Sequence, residues 1–106
     1  MIYELRTYTL RPTRQADWLR LYQAEALPVQ LEHLGQLVGF FTTDVGTVNQ
    51  VVHLWAFASA DDRDERRARM AADPRWQEFG RKNKELDAVV HLESRLMRGT
   101  EFSPLR

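Results

Sequence analysis

Met1-Ile2-Tyr3-Glu4-Leu5-Arg6-Thr7-Tyr8-Thr9-Leu10 opens the chain with ionic groups set in alternation with apolar ones. A two-residue period is that of a β-strand, whose successive side chains point to opposite faces of a sheet. The same mixture returns at Asn49-Gln50-Val51-Val52-His53-Leu54-Trp55 and at Val90-His91-Leu92-Glu93-Ser94-Arg95. Three strands of one sheet are therefore expected, with one oily face and one chemically equipped face.

The segments between them supply the rest of the fold. Arg11-Pro12-Thr13 breaks the first strand and offers Thr13 as an N-cap. Trp18, Leu21, Tyr22, Glu25 and Ala26 recur at helical steps, and Pro28 predicts a kink or break before a second piece over 29–34, ended by Gly35. β-Branched and aromatic runs over 37–43 and 48–57 flank Asp44-Val45-Gly46-Thr47, the signature of a hairpin. Ser59-Ala60-Asp61-Asp62 caps a second helix whose Arg-rich run, with four-residue pairs Asp62–Arg66 and Glu65–Arg69, reads as a solvated face. Asp73-Pro74 starts a further helical turn that points Trp76 and Phe79 toward the core, and 89–98 forms the last strand. The order β-α-β-β-α-β predicts one α+β domain over 1–106, ferredoxin-like, with an antiparallel 4-1-3-2 sheet and helices on one face.

Such a sheet leaves its second face open, yet strict alternation puts large residues on both. Leu5, Val52, Leu54, Val90, Leu92 and Leu96 fall on one face and Tyr8, Val51, Trp55, Phe57 and Met97 on the other. A second copy packing sheet against sheet would bury the aromatic side and close a dimeric α+β barrel.

Composition excludes several functions. The chain has 106 residues and balances 15 basic against 15 acidic side chains, so no overall field draws it to nucleic acid or an anionic membrane, and neither partner is expected. It has no cysteine, which removes disulfides, thiolate nucleophiles and cysteine-rich zinc sites. Glu4 and Arg6 interrupt any leader-like apolar run, so a soluble cytoplasmic protein is expected. There is no phosphate-binding glycine loop, dinucleotide fingerprint or paired-histidine metal motif, so neither cofactor nor metal is expected. Haem would need an axial ligand, for which only His33, His53 and His91 qualify.

Read by the same alternation, Glu4, Arg6 and Tyr8 share a face with His53 and Trp55 and with His91, Glu93 and Arg95. Together with Asn49 they are the candidate ligand-binding residues. His53, a polar side chain between Val52 and Leu54, is the candidate catalytic base. Arginine suits an acidic or enolate oxygen, and an aromatic ring suits a planar substrate. The same groups read equally as paired charges that fix the register of an interface.

Tyr3-Glu4-Leu5-Arg6-Thr7-Tyr8-Thr9-Leu10, the hairpin from Gly39-Phe40-Phe41-Thr42-Thr43 to Asn49-Gln50-Val51-Val52-His53-Leu54-Trp55, and Asp73-Pro74-Arg75-Trp76 together resemble the NIPSNAP family. The resemblance covers nearly the whole chain. It implies the dimeric α+β barrel and a homodimer, but assigns no reaction. Two functions follow as expectations: a homodimeric module binding a small hydrophobic or aromatic ligand, or a cofactor-independent monooxygenase or isomerase acting on an aromatic or polyketide-like molecule.

Overall fold

Pro28 decides how the first helical stretch is built. It has no amide hydrogen to donate, and in the computed structural model, which describes all 106 residues, the Leu27 N–H reaches back to the Tyr22 carbonyl. Helix α1 (Gln15–Leu21), a π-turn (Tyr22–Ala26) and α2 (Leu27–Leu34) therefore run on as one unit, and the expected break is a widened turn. Thr13 does not cap α1. It sits at φ 73°, and Arg14 takes the cap position without a side-chain bond. Gly35 ends α2 at φ 86°, where a Cβ would also meet Arg66 Nη1 at 3.3 Å.

The remaining elements fall close to expectation. Strands β1 (Ile2–Leu10), β2 (Gln36–Thr42), β3 (Gln50–Phe57) and β4 (Val89–Met97) form one antiparallel sheet in the order β2-β3-β1-β4, the ferredoxin-like order. Helices α3 (Ala60–Ala71) and α4 (Pro74–Leu86) lie between β3 and β4 in the chain. Ser59 Oγ accepts the Asp62 N–H at 3.0 Å to start α3, and Asp73 Oδ1 accepts the Arg75 N–H at 2.9 Å to start α4. His33 Nε2 meets Asp73 Oδ2 at 2.9 Å, fastening the end of α2 to the start of α4.

Strand register assigns the faces. Glu4 stands opposite Trp55 and Leu96, Arg6 opposite His53 and Ser94, and Tyr8 opposite Val51 and Leu92. Residues paired in this way project to the same side. The helices cover the side holding Ile2, Glu4, Arg6, Tyr8, Leu10, Val51, His53, Trp55 and Phe57. Two apolar clusters form there: Leu10, Trp18, Tyr22, Ala26, Val51, Phe79 and Ala88 toward one end, and Ile2, Val29, Leu34, Trp55, Phe57 and Met70 toward the other.

Two expectations about the faces are corrected. The aromatic residues Trp55 and Phe57, with Tyr8 and Val51, lie beneath the helices rather than on an open face, because Val29, Leu34, Met70 and Trp18 pack onto them. Strand β4 is also one residue out of the assumed phase. Leu92 and Leu96 share the helix side, whereas His91, Glu93, Arg95 and Met97 lie on the outer side with Tyr3, Leu5, Thr7 and Thr9. The Arg-rich run is not wholly solvated either. Arg66 pairs with Asp62 at 2.9 Å as expected, but Arg63 reaches inward to Glu4 and Met70 is in the core.

Met70 is 1% exposed, so Met70→Ala is expected to cost about 2–5 kcal/mol, while Arg69→Ala, one residue back on the exposed side, should stay within about 0.5 kcal/mol. Urea denaturation measures both; equal effects would contradict this orientation of α3.

Candidate functional site

A carboxylate removed from water must find donors for its lone pairs, and Glu4, 1% exposed, finds four. Arg63 sets its fork across both oxygens, Nε to Oε1 at 2.9 Å and Nη2 to Oε2 at 2.9 Å. Arg6 Nη1 donates to Oε2 at 2.8 Å and Ser94 Oγ to the same oxygen at 2.6 Å. The donors come from β1, β4 and α3, so one carboxylate fastens the sheet edge to the helix layer. Burial alone would raise its pKa, but the bonds from Arg63, Ser94 and Arg6 outweigh burial and bring it down to about 2. Arg6 also donates through Nε to the Tyr8 hydroxyl at 3.1 Å.

His53 lies behind this cluster and is fully buried. Trp55 Nε1–H donates to His53 Nδ1 at 2.7 Å, which occupies the single lone pair of the neutral ring and places its proton on Nε2. Nε2 has no hydrogen-bond partner. Phe40 stacks on the ring with centroids 4.7 Å apart, and Tyr8 meets it edge-on at 4.9 Å. Burial, reinforced by the positive charge of Arg6, pushes the His53 pKa down to about 3. The imidazole is thus held neutral, as a donor. A general base needs a free lone pair, and this ring has given its own to Trp55.

On the β2 side of His53, the rings of Tyr22 and Phe40 form the floor of a groove of about 290 Å³, completed by Leu19, Gln23, Leu27 and Leu37. It is the apolar pocket between helices and sheet in this fold. Gln30 accepts the Tyr22 hydroxyl and fixes that ring.

Of the candidates from sequence, Glu4, Arg6, Tyr8, His53 and Trp55 converge on the helix side. Asn49 does not join them: it closes the hairpin loop at φ 61°, and its carbonyl accepts the Leu10 N–H at 2.8 Å. His91, Glu93 and Arg95 are exposed on the outer side, with His91 and Glu93 3.8 Å apart. Sequence reading missed Arg63, Arg67 and Ser94. The first two stand four residues apart on α3 with Met70 three further on, and that helical spacing to an apolar residue was the available signal.

The sequence model of NIPSNAP matches residues 3–104. The chain belongs to the NIPSNAP family. This NIPSNAP chain is 34% identical over 105 residues to Protein NipSnap homolog 2 of Danio rerio, covering 99% of itself and 35% of that relative. It therefore spans about a third of the length of the curated relatives it matches. Among solved structures it is similar to a NIPSNAP family protein of unknown function from Agrobacterium tumefaciens, at 44% identity and TM-score 0.91, covering 100% of this chain and 94% of that one. An antibiotic biosynthesis monooxygenase shares the fold at TM-score 0.63 and 12% identity, covering 94% of this chain and 99% of that one.

The NIPSNAP chain should lose stability in acid in two stages. Unfolded His53 takes up a proton near pH 6.5 but the folded residue only near 3, so between these values the unfolded state binds more protons and stability is lost as the pH is lowered. Glu4 adds a second loss from about pH 4.5 downward. Urea unfolding at successive pH values is expected to show a decline of up to about 1.4 kcal/mol per pH unit between pH 6.5 and 4.5. His53→Phe should flatten that first stage, at a uniform cost of about 1–3 kcal/mol for the orphaned Trp55 N–H. A wild-type curve flat over this range would contradict the neutral His53.

Proposed function

We propose that this NIPSNAP chain is a homodimeric small-molecule-binding module, with its sheets packed face to face and its ligand held between helices and sheet. The observation that carries the reading is the outer side of the sheet. It bears Leu5, Val52, Leu54 and Met97 with no helix above them. The C-terminal segment folds back beside Tyr3, Leu54 and Met97, where the Tyr3 hydroxyl donates to the Arg106 carbonyl at 3.3 Å, but Phe41 across the sheet stays 60% exposed. An apolar sheet face of this kind calls for cover. A second copy suits it because the charges along β4 are self-complementary. A two-fold axis near Ser94 would set Glu93 of one protomer against Arg95 of the other, and a net charge of zero adds no repulsion.

The groove over Tyr22 and Phe40 suits a small flat hydrophobic ligand, since two rings offer stacking surface and Leu19, Leu27 and Leu37 offer apolar walls. The fold shared with a monooxygenase raises the alternative of cofactor-independent chemistry on an aromatic or polyketide-like compound. The Trp55 bond to His53 favours binding over that chemistry, because it leaves the buried imidazole no lone pair to take a proton.

Light scattering at micromolar concentration is expected to give the mass of two chains. Leu54→Glu, on the outer face, should give one, and Val45→Glu, 94% exposed in the hairpin loop, should change nothing. Neutral 1-naphthol is expected to raise the melting temperature saturably, and Leu19→Asp to abolish the effect. A wild-type monomer, or 1-naphthol without effect, would contradict the corresponding half of the proposal.

A further inference from the structure

The Glu4 cluster holds more positive charge than it neutralises. Arg6 and Arg63 meet there with Arg67 close enough to feel their charge, and the one buried carboxylate is already saturated by Arg63, Arg6 and Ser94. Asp64 touches Arg63 Nη1 at 3.3 Å, but it is 73% exposed and its charge is largely screened by water. His53 is neutral and adds nothing. Arg67, one turn along α3 from Arg63, is half-buried, and its guanidinium forms no hydrogen bond or ion pair with any residue of the chain. Burial and the repulsion of Arg6 and Arg63 oppose its charge, with partial relief from Glu4. Arg6 Nη2 is likewise uncommitted, since Nε serves Tyr8 and Nη1 serves Glu4.

An unpaired guanidinium that is half-buried beside two others is disfavoured on balance within this fold. Its position makes sense when an anion completes the site, because a planar fork matches a carboxylate through two parallel hydrogen bonds. The neighbouring surface says what the anion carries. On β4, Leu92 and Leu96 flank Ser94 on the same side of the sheet as Glu4 and Arg6, and both stay open, at 45% and 52% exposure. An inorganic anion or a nucleic-acid phosphate has no use for such a floor. A carboxylate attached to a short apolar body uses both parts.

We propose that Arg67, with Arg6, forms a binding site for a small organic carboxylate whose apolar body rests on Leu92 and Leu96 of β4. The site lies across β1 and β4, on the opposite flank of His53 from the Tyr22–Phe40 groove, and does not depend on that groove being occupied.

Calorimetric and thermal-shift titration with phenylacetate, 2-phenylethanol and sulfate tests the assignment. Phenylacetate is expected to bind saturably and raise the melting temperature, with 2-phenylethanol and sulfate much weaker. Arg67→Met should weaken phenylacetate about ten- to a hundredfold, as expected for a charge-assisted bond, and Arg67→Lys less severely. Leu92→Ser should also weaken it. Relieved of repulsion, ligand-free Arg67→Met should melt no lower than the wild type and remain the same size by light scattering.

Absence of phenylacetate binding overturns the proposal. Sulfate binding as tightly as phenylacetate, with Leu92→Ser indifferent, overturns the organic class. A lower melting temperature or a smaller assembly in Arg67→Met also overturns it, since Arg67 would then be serving the fold or a second copy. None of these results bears on 1-naphthol in the groove, and the two binding readings fail separately.

Discussion

The Glu4 carboxylate is the constraint on which the arrangement of sheet and helices turns. An ionised carboxylate moved out of water costs several kcal/mol unless its oxygens are fully bonded, and here donors arrive from three separate elements. Strand β1 must pair with β4 in the register that brings Ser94 beside Arg6, and α3 must lie so that its first turn points Arg63 down at the sheet. A one-residue slip of β4 would remove Ser94 from the carboxylate and place Glu93 or Arg95 nearby, changing the charge of the site. Apolar packing alone specifies no such register on an edge strand that few helix contacts touch.

This polar cluster divides the covered face between its two apolar clusters. Toward the hairpin end the rings of Tyr22, Phe40 and Tyr8 surround His53, with Trp18 packed behind Tyr8 and Tyr22, and toward the other end Met70 and Leu34 pack on Trp55 and Phe57. Trp55 links the two regimes, with its ring in the apolar cluster and its N–H spent on His53. Chemistry concentrates where these environments adjoin. A neutral imidazole on β3, a saturated carboxylate on β1 and an excess of guanidinium groups from β1 and α3 lie side by side, which is a setting for recognition of an anion or a flat ring more than for proton abstraction.

Most of the fold was legible because it is written in local signals. The caps at Ser59 and Asp73, the stop at Gly35, the glycine-bearing hairpin and the period-two strands each act over a few residues. The phase of β4 was not legible, because both parities offer alternating apolar and polar residues and the choice rests on a contact ninety residues apart between Ser94 and Glu4. The π-turn was hidden for a related reason. Pro28 announces a lost hydrogen bond, but whether a chain kinks or widens depends on what Tyr22 and Ala26 must pack against. Of the site, Glu4, Arg6, Tyr8, His53 and Trp55 were found through the shared period of β1 and β3. Arg63 and Arg67 were lost in a charged run where spacing to Met70 was the single clue.

NIPSNAP membership supplies the fold and no reaction, so the physical claim rests on the buried ion cluster. A double-mutant cycle of Glu4→Gln and Arg63→Met, read by urea denaturation, tests it most directly. A coupling of at least about 2 kcal/mol is expected, well above the fraction of a kcal/mol typical of an exposed pair. Effects that add to within about 0.5 kcal/mol would mean that Glu4 and Arg63 do not hold α3 to the sheet.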